Sequence, residues 1–102
     1  MIAEKMLVVK CQELAKAVKI QYDLGDEFNI FSACFDSAEQ GSYQELCIDE
    51  NSIESAEQAV HNFEEWNFSP REIELARHRF LVLTYLHDVF PNEEIILVYM
   101  EW

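Results

Sequence analysis

The chain's only two prolines, Pro70 and Pro91, bracket its best-defined segment. Ser69-Pro70-Arg71-Glu72 carries the marks of a helix start. Ser69 suits the N-cap, Pro70 the first helical position, and Glu72 closes a capping box three residues after Ser69. Pro91 cannot continue a helix, so the pattern predicts one from residue 70 to about residue 90. Its first half is amphipathic, with Ile73, Ala76 and Phe80 facing inward. Its second half, FLVLTYL from Phe80 to Leu86, is apolar all round. Such a run is either a helix buried on two sides or a strand, and the capped start favours the helix.

The rest of the chain supplies what that helix needs to pack against. At 102 residues it forms one domain, 1–102, and 50% hydrophobic residues are enough for a core without staples. Residues 3–22 read as a helix, with Leu7, Cys11, Leu14, Ala15, Val18 and Tyr22 on one face. Lys5, Gln12, Lys16 and Lys19 lie opposite, and Gly25 stands where a helix would stop. Residues 28–36, FNIFSACFD, read as a strand, with Phe28, Ile30 and Cys34 on one face and Phe31, Ala33 and Phe35 on the other. Residues 43–49, YQELCID, read as a second strand, joined to the first by a hairpin through SAEQGS. Residues 52–67 read as a helix capped by Asn51 or Ser52, with Ala56, Ala59, Val60, Phe63 and Trp66 as its apolar face. The final stretch, EIILVYMEW, reads as a strand apolar on both faces and therefore central. The expected fold is α+β: three helices on a small three-stranded antiparallel sheet, in the order α-β-β-α-α-β.

The charge pattern is the functional signal. Seven Lys and Arg stand against twenty Asp and Glu, a formal charge of −13. That balance excludes direct nucleic-acid binding and disfavours an anionic membrane surface. Between Lys19 and Arg71 there is no Lys or Arg. The same stretch holds Asp23, Asp26, Glu27, Asp36, Glu39, Glu45, Asp49, Glu50, Glu54, Glu57, Glu64 and Glu65. A further acidic group, Asp88, Glu93, Glu94 and Glu101, follows near the chain's end. At 100° per residue, Glu50, Glu54, Glu57, Glu64 and Glu65 fall within about 100° of arc, with His61 among them and the apolar face roughly opposite. Like charges at these spacings cost a helix a few tenths of a kcal/mol each. Stability alone would interleave Lys. The plain reading is a solvated face that aids solubility. The functional reading is a row of carboxylates that stands in for phosphates in a basic groove. Tyr22, Tyr43, Trp66, Phe68, Tyr99 and Trp102 are more aromatics than so small a core buries completely, and Tyr43 is the expected exposed anchor beside Glu45 and Asp49.

No catalytic or cofactor signature accompanies this pattern. Gly25 and Gly41 are the only glycines, so there is no phosphate loop, and no CxxC, HExxH or HxH metal pattern occurs. His78 and His87 are nine positions apart and share no clean helical face. Cys11, Cys34 and Cys47 read as reduced thiols; a Cys34–Cys47 cross-strand bridge is compatible with the spacing, though nothing requires it. The longest purely apolar run, Ile95 to Met100, is far short of a membrane span, and the N-terminus lacks a signal-peptide pattern. The expectation is a cytoplasmic protein with no enzyme activity and no cofactor.

In size, acidic charge and lack of catalytic apparatus, the chain resembles the small inhibitors of phages and mobile elements. These are anti-CRISPR proteins and DNA-mimic antirestriction proteins. The resemblance is at the level of the class and carries over no individual residue. It implies a CRISPR effector or a restriction enzyme as partner, inside a bacterial host cell. The residues themselves suggest Tyr43, Glu45, Asp49, Glu50, Glu54, Glu57, Glu64 and Glu65 as the partner-binding set. Two alternatives stay open: an immunity protein that plugs a nuclease toxin, and an oligomeric assembly subunit that buries FLVLTYL and IILVYM between copies.

Overall fold

The structure, a computed structural model, describes residues 7–101. It is α+β, with a three-stranded mixed sheet and four helices among the described residues. In chain order these are β1 (Val8–Lys10), α1 (Cys11–Gln21), α2 (Ile30–Cys34), β2 (Tyr43–Cys47), α3 (Glu50–Glu65), α4 (Pro70–Val89) and β3 (Ile95–Tyr99). β3 is central, as its two apolar faces predict: β2 pairs with it antiparallel and β1 pairs with it parallel.

Helix α4 is the hub. Ser69 Oγ accepts the Glu72 N–H at 3.3 Å, and the Ser69 hydroxyl also reaches the Glu72 carboxylate at 3.2 Å. Pro70 occupies the first turn. Val82, Leu83 and Leu86 are fully buried, so the all-apolar run is helix. The helix packs against α1, α2 and α3. Cys11, Leu14 and Val18 of α1, Leu46 at β2 and Ile96 and Val98 of β3 complete the core with it. Each such side chain contributes about 1.5–3 kcal/mol on burial.

Several expectations are overturned, each for a physical reason. The helix expected over 3–22 starts only at Cys11: Val8, Val9 and Lys10 are extended and take Leu97, Val98 and Tyr99 as parallel partners. Positions 3–6 of that expectation lie outside the described residues. Valines fit a pleat at least as well as a helix, and a central strand with a free edge was there to receive them. The extra parallel strand makes the sheet mixed rather than antiparallel and changes the element order to β-α-α-β-α-α-β. The same helix ends before Gly25: Asp23 takes the left-handed conformation (φ 52°), and the Leu24 N–H returns to the Lys19 carbonyl at 2.9 Å.

The strand expected over 28–36 is instead the short helix α2. Asn29 decides this: its Oδ1 accepts the N–H groups of Phe31 at 3.0 Å and Ser32 at 3.2 Å, a helix N-cap. Phe28, Ile30 and Phe35 are buried. With no strand there, SAEQGS cannot be a hairpin. It is a turn into β2, where Gly41 (φ 85°) donates its N–H to the Met100 carbonyl. Helix α3 starts two residues before the expected boundary, with Asp49 rather than Asn51 or Ser52 at the N-cap. It ends at Glu65, two residues before the expected boundary; Asn67 beyond it is left-handed at φ 57°, and the Phe68 N–H reaches the Phe63 carbonyl at 2.9 Å. Phe68 then stacks on Phe63 with ring centroids 4.3 Å apart, the apolar contact that accompanies this kind of helix end.

Among the described residues, His78 is the one charged-type side chain in the core, 4% exposed and edge-on to Phe28 at 5.3 Å. Its Nδ1 has no hydrogen-bond partner. Burial pushes its pKa below the ordinary 6.5, against the opposing pull of Glu74 and Glu27. As pH falls below about 6.5, the unfolded chain takes up a proton that the folded chain takes only at lower pH. The folded state therefore loses stability in that window. A His78→Phe variant lacks this penalty, so its melting temperature relative to the native protein should climb between about pH 7.5 and about pH 5.5. A constant difference across that range, measured by thermal denaturation, contradicts the assignment.

Candidate acidic interface

The eight residues expected to contact a partner fall on two elements and the junction between them. Tyr43 and Glu45 are exposed on β2. Their cross-strand partners Tyr99 and Leu97 and the exposed Val8 and Ile95 share that face, which the helices leave uncovered. The Tyr43 and Tyr99 rings lie 5.0 Å apart. Asp49 caps α3. Its carboxylate accepts the Ser52 hydroxyl, which holds its pKa below the usual carboxylate value, with further help from backbone N–H groups. Glu50, Glu54, Glu57, Glu64 and Glu65 are all exposed on α3.

Of these five, Glu64 is already engaged. It meets Arg77 of α4 at 3.1 Å and His61 at 4.0 Å, so it fastens α3 to α4. Asp26, from the same base-free stretch of sequence, is likewise paired, with Lys19 at 3.2 Å. Glu50, Glu54, Glu57 and Glu65 have no basic partner among the described residues. They remain as the unneutralised ridge. Trp66, 60% exposed, sits at its C-terminal end against Phe68.

The fold extends this ridge in a way the sequence did not suggest. A polar concavity of about 360 Å³ at the start of α3 is lined by Asp49, Glu50 and Asn51 and by His87, Pro91, Asn92, Glu93 and Glu94. The turn after α4 thus brings the late acidic pair, Glu93 and Glu94, beside the first acids of α3. His87 Nδ1 bonds the Ile48 carbonyl at 3.0 Å, and the Ile48 N–H bonds the Glu94 carbonyl at 2.8 Å. These two bonds tie the concavity's walls together. The only hint in sequence was the proline that ends α4 just ahead of that pair.

Cys11, Cys34 and Cys47 are free thiols. No group of three or more His, Cys, Asp or Glu side chains among the described residues is arranged to hold a metal ion. No helix among them is long and apolar enough to cross a membrane. No family model, curated protein or solved structure matches the chain.

The ridge sets a stability prediction. Glu54 sits four residues after Glu50 and three before Glu57, two like-charge pairs on one helix face. Glu54→Lys converts both to attractive pairs and should stabilise the fold by a few tenths of a kcal/mol per pair. Raising NaCl from about 20 to about 200 mM should raise the native melting temperature, and raise that of Glu54→Lys less. Thermal melts of both proteins in that salt series are the check; equal salt responses contradict a repulsive ridge.

Proposed function

We propose that the protein is a non-enzymatic inhibitor that occupies the nucleic-acid channel of a DNA- or RNA-handling protein. The partner class is a CRISPR effector or a restriction enzyme, within a bacterial cytoplasm. The observation that carries this reading is the set of exposed, unneutralised carboxylates on α3, continuous with the acidic concavity at its start. A helix of 16 residues is about 24 Å long. Glu50, Glu54 and Glu57 stand at side-chain spacings of about 5–6 Å along a rigid rod, and Glu65 about 12 Å further on. A basic channel built for a phosphate backbone supplies the complementary charge, and the field of a −13 protein speeds encounter. Trp66 and Phe68, at the ridge's end, fit the role of aromatic anchors. An immunity protein that plugs a nuclease toxin would use the same surface, and a single cognate partner distinguishes it.

The assembly-subunit reading has one observation in its favour, the uncovered sheet face with Val8, Tyr43 and Ile95. Its area weighs against a stable dimer. Strands about 17 Å long at about 4.8 Å spacing present only a few hundred Å². Stable interfaces bury about 800 Å² per partner. The other run named for that reading, FLVLTYL, supplies Val82, Leu83 and Leu86 to the core.

The test is DNA cleavage by a panel of purified CRISPR effectors and restriction endonucleases, with and without this protein. Inhibition of a susceptible enzyme should compete with DNA and weaken steeply with salt. The double variant Glu54→Lys/Glu57→Lys should keep the fold and lose inhibition by at least about tenfold, since each charge pair at a close interface is worth upwards of about 1.5 kcal/mol. Full inhibition by the folded double variant rejects the mimic.

A further inference from the structure

The inner side of α3 is as unusual as its outer side. Where it faces α4 it carries Ser52, Ser55, Ala56 and Ala59, and Ala56 is the helix's only buried residue. Small side chains leave room. A cavity of about 540 Å³ lies between the two helices, inside the roughly 300–1,000 Å³ range of small-ligand sites. Leu75, Ala76 and Leu83 of α4 and Phe63 of α3 give it apolar walls, and Ala33 and Cys47 also line it.

Among the described residues, one cation faces that space. Among the arginines of α4, Arg71 pairs with Glu74 at 3.4 Å and Arg77 with Glu64 at 3.1 Å. Arg79 lines the cavity and has no carboxylate partner among the described residues, in a chain with twenty acids. Its neighbour Cys34 does not supply a counter-charge: burial pushes that thiol up to about 12, against the opposing pull of Arg79, so it is neutral at physiological pH. The cavity's one acid, Glu72, is held at the start of α4 by Ser69.

We propose that the cavity between α3 and α4 binds a small apolar molecule bearing one carboxylate, with Arg79 as its counter-ion and the alanine-lined walls holding the hydrocarbon. This site is independent of the inhibitor reading, which uses the opposite side of α3. The field of a −13 protein repels anions generally, so selectivity for an anion over its neutral analogue has to come from a local cation.

The probes are decanoate and decanol, titrated into the full-length protein and followed by ¹H–¹⁵N NMR. Decanoate should shift the amides of Ala56, Ala59, Ala76 and Leu83 and bind at least about tenfold more tightly than decanol, the scale of one charge-assisted hydrogen bond. Arg79→Gln should abolish that preference while leaving decanol binding unchanged. Ala59→Leu should weaken both ligands by filling the space. If Ala59→Leu does not fold, Arg79→Gln, a change at an exposed side chain, still decides the matter. No binding of decanoate, equal affinity for decanol, an unchanged preference in Arg79→Gln, or shifts confined to the uncovered sheet face would overturn the proposal.

Discussion

The apolar half of α4 has to be buried on more than one side, and the rest of the chain is arranged to do it. Val82, Leu83 and Leu86 point into a core shared with α1 and the inner face of the sheet. α2 and α3 close over the same helix from other directions. Its ends are fixed by chemistry rather than by packing: the Ser69–Glu72 box at one end, and Pro91 beyond the other. Because α4 is pinned so firmly, the turn after it can carry Glu93 and Glu94 back to the start of α3 and build the acidic concavity there.

Burial and charge work on different scales, which is why the chain tolerates its own repulsion. A like-charge pair on α3 costs a few tenths of a kcal/mol, whereas one fully buried Leu or Ile contributes about 1.5–3 kcal/mol. One or two core side chains therefore offset the whole ridge. Two of the base-free segment's acids are also neutralised by distant bases, Asp26 by Lys19 and Glu64 by Arg77. Those pairs are exposed and worth at most about 1 kcal/mol each. Their effect is on placement: Glu64–Arg77 fixes α3 against α4, and thereby fixes the direction in which the remaining acids point.

The elements that were legible in sequence are those whose ends are set locally. The SPRE start of α4, the two-sided apolar pattern of β3 and the strand over YQELC all express themselves within a few residues, and all three appear in the structure. The elements that were misread depend on something distant or on one polar atom. Val8–Lys10 is a strand because β3, nearly ninety residues later in sequence, offers it an edge. FNIFSACFD holds a short helix, Ile30–Cys34, rather than a strand because one Asn29 oxygen captures two backbone N–H groups, which outweighs a composition that suits a pleat. The acidic arc on α3 was visible from helical geometry alone. The loss of Glu64 to Arg77 and the gain of Glu93 and Glu94 were not, because both depend on tertiary contacts between segments far apart in sequence.

Helix α3 packs closely on α4 yet, of the three longer helices, has the fewest buried residues. Only Ala56 of its sixteen residues is buried, against three in α1 and four in α4. It is held at its ends, by Asp49 with Ser52 at the start and by the left-handed Asn67 with the Phe63–Phe68 stack at the finish. The positions of α3 that face neither α4 nor the core can change their side chains with little effect on packing. Its outer side is free to concentrate charge, and its inner side is free to stay small and leave a cavity beside Arg79. Under the proposed reading, selection acting on the exposed carboxylates of α3 for binding would meet little opposition from selection for stability, because those side chains take no part in the core of the 102-residue chain.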